Sequence, residues 1–252
     1  MSKNSEKSLP CGTDTLKQVG FSDRSLTVFF PCYNEEGTVE TLTRDAVRVA
    51  GEITRDFEVI IVNDGSKDRT AEIADRLADQ IEQVRVIHHK VNGGYGAALQ
   101  SGFKAATKEL VFYTDGDGQF DIEELPKLFE LIDQCDIVSG FRIKRQEGML
   151  RKLNAFCWGS LVCILFNMKV RDIDCAFKLY KREVFDNIEM HSTGALIDSE
   201  ILARATKKGY VIKQIGVSHY PRITGTSTGA KLSVIVRAFK ELFRLRKEIM
   251  KG

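Results

Sequence analysis

Residues 110–119 read LVFYTDGDGQ, an apolar run that ends abruptly in two carboxylates. The run 110–115 predicts a strand that is buried on both faces. Asp115, Asp117 and Gln119 then present side-chain oxygens at alternate positions, and alternate residues of an extended chain project to the same side. Such oxygens suit a hard cation, Mg²⁺ or Mn²⁺. The stretch therefore predicts a buried strand with a divalent-cation site at its carboxyl end, with a helix-capping turn as the alternative.

The same strand pattern recurs along the chain and alternates with helical segments. Apolar strands are predicted at 26–30, 57–62, 84–89, 110–115 and 136–142. Helices are predicted at 36–52, 66–81, 95–107 and 122–134. This alternation indicates an α/β fold in which a parallel sheet lies between helices. Ligands of such sheets bind beyond the carboxyl ends of the strands.

Composition favours one globular domain with a basic C-terminal extension. The chain has 252 residues, of which 43% are hydrophobic, so it can bury one sizeable core. Its net charge of +2 gives no sign of nucleic-acid binding. Residues 231–252 carry seven Lys or Arg against two Glu, a bias that suits an anionic membrane surface. No stretch of about 18 residues is apolar enough to predict a membrane-spanning helix.

Cysteine usage and the N-terminal residues predict a cytoplasmic location. The six cysteines are scattered without a CxxC spacing, which favours reduced thiols. The N-terminal MSKNSEKSLPCG lacks the apolar core of a signal peptide. We expect residues 1–24 to form a flexible tail.

Three further polar clusters follow predicted strands and should meet the acidic pair at one edge of the sheet. They are PCYNEE (31–36), NDGS (63–66) and NGGYGAA (92–98). Asp64 can accept hydrogen bonds from ribose hydroxyls or a base N–H, unless it only caps the next helix. The glycines of 92–98 allow an anion to approach a helix N-terminus. A dinucleotide site and a P-loop are disfavoured, because neither Gly-x-Gly-x-x-Gly nor the P-loop spacing occurs at the expected places.

Together these motifs resemble family 2 glycosyltransferases of the GT-A fold, particularly the polyprenyl-phosphate (dolichol-phosphate) mannose and glucose synthases. The likeness extends over residues 25–230 and continues through SGFR (139–142) and DIDCAFKLY (172–180). It implies a Rossmann-like, mostly parallel sheet in a GT-A domain at 25–230, followed by a basic amphipathic helix at 231–252. It also implies metal-dependent, inverting transfer of a hexose from a UDP- or GDP-linked sugar to a polyprenyl phosphate.

The resemblance assigns roles residue by residue. Nucleotide-sugar contacts fall on Pro31, Tyr33, Glu35, Val62, Asp64, Gly94, Asp115, Gly116 and Arg222. Metal binding falls on Asp115, Asp117 and Gln119, and catalytic roles fall on Asp117, Asp172 and Arg142. The acceptor phosphate would meet Arg142, Arg151, Arg222 and Lys231. Two positions depart from the family pattern: Thr228 stands where the synthases usually have Lys, and Gly116 where many relatives have Ala.

The identity of the acceptor determines whether a general base is needed. A polyprenyl phosphate is already anionic and needs only positioning, whereas a hydroxyl acceptor must be deprotonated. Asp172, Asp174 and Glu200 are the candidate carboxylates for that role. A soluble or cell-surface saccharide is the alternative acceptor, and a degenerate nucleotide-sugar-binding scaffold is the non-enzymatic alternative.

Two segments suggest a peripheral enzyme on the cytoplasmic face of a membrane. The uncharged segment 155–166 is too short to span a bilayer, but it could lie at the interface or cover a lipid chain. In the C-terminal segment, apolar residues fall near one helical face with Lys and Arg around it: Leu232, Ile235, Phe239, Leu242 and Ile249. Packing of either segment on the domain itself is the alternative.

Overall fold

The computed structural model describes residues 22–143, 149–221 and 232–251. Within them the strands are β1 (Leu26–Cys32), β2 (Phe57–Asn63), β3 (Val84–His88), β4 (Leu110–Thr114), β5 (Ile137–Arg142), β6 (Phe177–Lys181) and β7 (Ile212–Val217). They form one sheet in the order β3-β2-β1-β4-β6-β5-β7. All run parallel except β6, which is antiparallel to both of its neighbours. The expected mostly parallel α/β sheet is confirmed.

Helices flank this sheet. They are α1 (Val39–Ile53), α2 (Thr70–Gln80), α3 (Tyr95–Ala105), α4 (Leu125–Ile132), α5 (Met149–Phe166), α6 (Glu183–Asp186), α7 (Ile197–Lys207) and α8 (Leu232–Lys251). The predicted helices 36–52 and 66–81 begin three and four residues later than expected, at Val39 and Thr70. The reason is a pair of linked turns, in which the amide of Glu36 donates to Asp68 and the amide of Thr70 also donates to Asp68.

The helix predicted at 122–134 is shorter and begins differently. A single 3₁₀ turn, Ile122–Glu124, precedes α4. The carboxylate of Asp121 accepts a hydrogen bond from the amide of Glu123 and so caps this turn. Capping therefore falls to Asp121, which leaves the preceding Asp115 and Asp117 to be explained by something else.

An aromatic cluster packs α3 against β1, β4 and β6. Every residue of β4 is buried. The ring of Phe103 on α3 contacts those of Phe29, Tyr113 and Tyr180 at centroid distances of 4.8, 5.6 and 5.5 Å. These contacts fix α3 against the sheet, so the N-terminus of α3 is held at the carboxyl ends of β1 and β4.

The position of β6 is not apparent in the sequence pattern, and the strands β6 and β7 were not predicted. Because β6 is inserted between β4 and β5, the carboxyl ends of those two strands lie at the same edge of the sheet but two strand spacings apart, roughly 10 Å. Residues that follow β4 and β5 therefore share one rim without being immediate neighbours.

The C-terminal helix α8 forms as expected, but its main apolar face is turned inward. Leu242, Leu245 and Ile249 are buried in the hydrophobic core, where α8 packs against α5 and α7. This is the alternative in which the helix covers its own domain. Among the residues that the structure describes, no helix is both long and apolar enough to cross a membrane.

Candidate active site

A cavity of about 680 Å³ lies at the carboxyl ends of β1, β2 and β4. Its lining includes the predicted metal ligand Asp117 and most of the residues expected to contact a nucleotide-sugar: Pro31, Tyr33, Glu35, Asp64, Gly94, Asp115 and Gly116. Four separate segments of the chain thus converge on one cavity, as the sequence predicted. Val62 differs from the others, because its side chain is fully buried within β2 and does not line the cavity.

The turn between the two aspartates is pressed against β1. A Cβ atom on Gly116 would lie 2.5 Å from the carbonyl oxygen of Pro31 and 2.7 Å from Sγ of Cys32. The hydroxyl of Thr38, the residue before α1, donates to the carbonyl of Gly116 at 2.7 Å. Any side chain at this position would displace the turn, so Gly116 is required by close packing rather than by flexibility.

Burial and the neighbouring negative charge disfavour the ionised form of Asp115. Burial, followed by the charge of Asp117, raises the pKa of Asp115 to about 7. Its Oδ1 atom is buried without a hydrogen-bond partner in the described structure, while Oδ1 of Asp117 accepts from the amide of Gln119. An orphaned carboxylate oxygen beside a second carboxylate fits a divalent cation, which would supply the missing partner.

The described residues provide no larger ligand cluster than this pair. No group of three or more His, Cys, Asp or Glu side chains is placed to hold an ion in the described ranges. Burial raises the pKa of the Cys32 thiol well above its usual range, so the thiol stays protonated and is a poor ligand. A cation here would complete its coordination with water and a diphosphate, as Mg²⁺ commonly does in nucleotide sites.

Gln119 was expected to bind the cation, but its side chain makes a hydrogen bond outside the acidic pair. Its Nε2 donates to the carbonyl of Tyr220 at 2.8 Å, and the amide of Tyr220 donates back to the carbonyl of Gln119. In this arrangement Gln119 fastens the segment after β7 to the Asp-Gly-Asp turn. The described chain continues to Pro221, so this segment leads directly towards the predicted phosphate-binding Arg222.

Asp64 shapes the glycine turn instead of capping a helix. Its carboxylate accepts hydrogen bonds from the amides of Gly93 and Gly94 at 2.8 and 2.9 Å. Nδ1 of His89 lies 2.6 Å from Asp64, and Nε2 lies 2.8 Å from the hydroxyl of Ser101. Because a carboxylate only accepts, His89 donates from Nδ1. The Ser101–His89–Asp64 chain therefore fixes the carboxylate at the cavity wall, and sequence reasoning missed His89.

Arg142 and Asp172 are paired with each other. Nε and Nη2 of Arg142 donate to the two carboxylate oxygens of Asp172 at 2.7 and 2.8 Å, and both side chains are largely buried. The salt bridge raises the pKa of Arg142 despite its burial. Asp172 therefore holds and orients the guanidinium, a geometry that presents a fixed positive charge at the rim of the sheet.

The other two candidate carboxylates differ in burial. Glu200 is fully buried, accepts from the amides of His191 and Ser192, and forms a salt bridge with Arg204. It therefore organises the loop before α7. Asp174 is exposed at the turn before β6.

Three of the expected phosphate contacts involve side chains outside the described part of the structure. Arg222 and Lys231 lie outside the described residues, as does Thr228. Arg151 lies in α5, and its side chain is outside the described part of that helix. Of the predicted acceptor-phosphate group, Arg142 alone has a described side chain.

A buried polar network that sequence reasoning did not single out lies behind Asp115. Lys178 of β6 is completely buried and forms a 2.6 Å salt bridge with Asp198 of α7. The hydroxyl of Tyr113 also donates to Asp198, and the hydroxyl of Tyr95 donates to Asp115. The available signal was a single Lys inside the apolar run CAFKLY (175–180).

The fold, with its carboxylate pair at the rim of a mostly parallel sheet, is that of the GT-A glycosyltransferases. Residues 27–189 match the profile of glycosyl transferase family 2. A dolichyl-phosphate hexose transferase of Haloferax volcanii is 32% identical over 202 residues, which cover 78% of this chain and 83% of that protein. The chain belongs to glycosyl transferase family 2.

Other relatives extend beyond the chain. Glycosyltransferase AglD of Haloferax volcanii is 30% identical over 78% of this chain, which spans only 33% of that protein. An undecaprenyl-phosphate 4-deoxy-4-formamido-L-arabinose transferase of Photorhabdus laumondii is 28% identical over 84% of the chain and 65% of its own length. The chain thus spans between a third and two thirds of these two relatives.

Solved structures confirm the fold. Glucosyl-3-phosphoglycerate synthase of Mycobacterium tuberculosis, crystallised with Mn²⁺, UDP-glucose and phosphoglyceric acid, superposes with a TM-score of 0.69 at 16% identity. The match covers 89% of this chain and 80% of that one. A complex of the same enzyme with Mg²⁺ and UDP has a TM-score of 0.63 at 16% identity.

Proposed function

We propose that the chain is a metal-dependent, inverting hexosyltransferase that uses a UDP- or GDP-linked sugar and a polyprenyl phosphate acceptor. The observation that carries the donor half is the orphaned Oδ1 of Asp115, which lies beside Asp117 in a cavity of nucleotide size. The acceptor half is supported by relatives named as dolichyl-phosphate and undecaprenyl-phosphate transferases.

Donor binding and acceptor binding involve the ends of different strands. Tyr33, Glu35 and Asp64 line the part of the cavity where a nucleoside would lie, and Asp115 and Asp117 would hold Mg²⁺ or Mn²⁺ against the diphosphate. A bound cation supplies positive charge to the departing diphosphate. In the transfer, an acceptor phosphate oxygen forms a bond to the anomeric carbon from the face opposite the leaving group. The sugar–diphosphate bond breaks, and its electron pair leaves with the nucleoside diphosphate.

Arg142 is proposed to bind the acceptor phosphate. Its guanidinium is fixed by Asp172 at the same edge of the sheet as the acidic pair, and the two-strand separation leaves room for a hexose between them. A phosphate acceptor needs no general base, which agrees with the pairing of Asp172 to an arginine. Arg222, Arg151 and Lys231 remain proposed further contacts.

We also propose peripheral membrane binding on the cytoplasmic face, through the exposed residues of the two expected segments and not through the buried Leu242 and Ile249. Among the described side chains of α8 and α5, the exposed large apolar residues are Phe239, Phe243, Met250 and Ile164. Nε of Arg246 donates to the carbonyl of Leu165, which brings the end of α5 beside α8. Exposed Arg246 and Lys247 would interact with anionic headgroups while the apolar side chains enter the interface.

Transfer assays with defined donors and acceptors test the catalytic proposal. Purified protein is incubated with UDP-glucose or GDP-mannose, polyprenyl phosphate in detergent, and Mn²⁺ or EDTA, and products are identified by mass spectrometry. We expect a polyprenyl phosphate hexose that forms only with the cation. Asp117→Asn should abolish it, while Asp79→Asn on the exposed surface of α2 should not. Products formed only on saccharide acceptors would overturn the lipid acceptor, and the absence of both donor binding and transfer would overturn the enzymatic proposal.

A further inference from the structure

The polar network behind the candidate active site centres on Lys178. Its ammonium lies 2.6 Å from Oδ1 of Asp198 and 3.0 Å from the hydroxyl of Tyr113. It also lies 2.6 and 3.0 Å from the carbonyl oxygens of Cys175 and Ile173. An ammonium has three protons, and these four oxygens take all of them. Lys178 is therefore committed to protein partners, and its role lies in what it holds in place.

On one side, Lys178 supports the acidic pair. It donates to the hydroxyl of Tyr113, which donates its own proton to Asp198. Tyr113 is the penultimate residue of β4, two positions before Asp115. The Lys178–Asp198 pair therefore anchors the end of the strand that carries the acidic turn.

On the other side, Lys178 supports the residues proposed to bind the acceptor. The carbonyls of Ile173 and Cys175 belong to the turn before β6, and that turn begins with Asp172. Asp172 accepts hydrogen bonds from Nε and Nη2 of the Arg142 guanidinium. One ammonium thus contacts both the support of the cation site and the support of the phosphate-binding arginine.

The free energy of such a buried pair favours a positioning role over a stabilising one. Removing two charges from water costs about as much as their attraction returns, and apolar replacements of similar volume are often neutral or stabilising. Fixed, fully hydrogen-bonded groups do, however, hold ligand residues in one orientation, as the outer partners of metal ligands do.

We propose that Lys178 and Asp198 are positioning residues for both halves of the reaction. Through Tyr113 they hold the end of β4 that carries Asp115, and through the turn at Asp172 they set the position of Arg142. This inference rests on the proposed function, since it takes Asp115 as a cation ligand.

Removal of single hydroxyl groups tests the first half of the inference. Tyr113→Phe removes the hydroxyl that links β4 to the Lys178–Asp198 pair but leaves that pair in place. Tyr180→Phe is the matched control, because its hydroxyl is buried in the neighbouring strand without a hydrogen-bond partner in the described structure. Mn²⁺ affinity is measured by electron paramagnetic resonance with UDP present. We expect Tyr113→Phe to weaken it about 10-fold, the lower end of the range seen when the support of a metal ligand is removed. Tyr180→Phe should bind Mn²⁺ as the wild type does.

Paired removal of the charges tests the second half. Lys178→Met combined with Asp198→Leu leaves no unpaired buried charge, and we expect it to fold with a melting temperature near that of the wild type. Its Mn²⁺ affinity should fall, and its KM for polyprenyl phosphate should rise. Wild-type Mn²⁺ affinity in Tyr113→Phe, with binding lost in Asp115→Asn, would overturn the positioning role and leave the proposed function intact. If Asp115→Asn bound Mn²⁺ as tightly as the wild type, the proposed cation site would fail instead.

Discussion

The carbonyl oxygen of Pro31 packs so closely against Gly116 that a Cβ atom added to Gly116 would lie only 2.5 Å from it. The turn between the two aspartates is therefore packed directly on the last residues of β1, and Thr38 fastens it there by a hydrogen bond. The positions of Asp115 and Asp117 depend on this contact, because the turn can move only if β1 moves with it.

Gly116→Ala should consequently destabilise the protein. The added methyl group must displace the turn or β1, and overpacking of this kind costs about 1–3 kcal/mol. Urea denaturation followed by circular dichroism measures the change. Gly159→Ala is the control, because nothing lies within 4 Å of a Cβ there and alanine favours a helix. Equal stability of Gly116→Ala and the wild type would show that the turn relaxes freely.

The contribution of Asp115 to the stability of the metal-free protein should fall as the pH rises from about 4 to about 7. The pKa of Asp115 is about 7 in the folded protein and 3.8 in its unperturbed state, so folding favours the protonated form. That contribution is present at low pH and is lost as pH rises through the folded pKa. Asp115→Asn removes the buried charge and should be more stable than the wild type at pH 8, measured by urea denaturation with EDTA.

Mn²⁺ together with UDP should make the wild type more stable than Asp115→Asn at pH 8. A ligand that binds only the folded protein raises its stability by mass action. We expect the melting temperature of the wild type to rise on addition of both, and that of Asp115→Asn to stay unchanged. An equal rise in the two proteins would show that Asp115 does not bind the cation.

Arg142 and Asp172 should act as one unit in transfer. Either Arg142→Lys or Asp172→Asn breaks the two-point contact and lets the positively charged side chain at position 142 move. We expect this to lower kcat/KM for the acceptor by about 100-fold. The double variant should be little worse than either single one, with a coupling energy of about 0.5–3 kcal/mol. If Asp172→Asn instead shifted the pH profile of kcat while Arg142→Lys did not, Asp172 would be a general base.

His89→Gln should weaken donor binding without slowing the chemical step. The change removes the imidazole that donates to Asp64 and accepts from Ser101, so Asp64 is held by the amides of Gly93 and Gly94 alone. Losing a hydrogen bond to a charged group costs about 1.5–3 kcal/mol, so KM for the donor should rise about tenfold or more with kcat unchanged. Lys90→Gln, on the exposed neighbouring residue, should leave both constants unchanged.

Binding to anionic vesicles should depend on the exposed side chains of α8 and α5. Phe243→Ser removes an aromatic ring that is 56% exposed, and we expect binding in a sedimentation assay to weaken about tenfold. Val211→Ser is the control, an exposed apolar residue at the start of β7. If the wild-type protein sediments with anionic vesicles no better than with neutral ones, the surface is not a membrane contact.

Much of the fold was determined by local pattern. Apolar runs of five to seven residues became β1, β2, β3, β4 and β5. Strands that are buried on both faces carry a nearly continuous hydrophobic run, and the partly buried edge strand β3 shows a shorter one. The spacing of Asp115 and Asp117 after such a strand also placed the acidic pair at the cavity. These features are readable because each depends on residues close together in sequence.

The features that the sequence did not reveal depend on contacts between residues far apart in the chain. The antiparallel direction of β6 follows from its pairing with β4 and β5, and hydropathy does not encode direction. The Arg142–Asp172 salt bridge joins residues 30 positions apart, and Lys178 meets Tyr113 across 65.

The acidic pair itself shows the division most clearly. The sequence alone determined that two carboxylates follow a buried strand and therefore lie at the ligand-binding edge of the sheet. Only the tertiary structure decided that Asp115 is the desolvated member with an unpartnered oxygen and that Gly116 must lack a side chain. Burial and close contact arise when β1, α3 and β4 pack together, and no single segment carries that information.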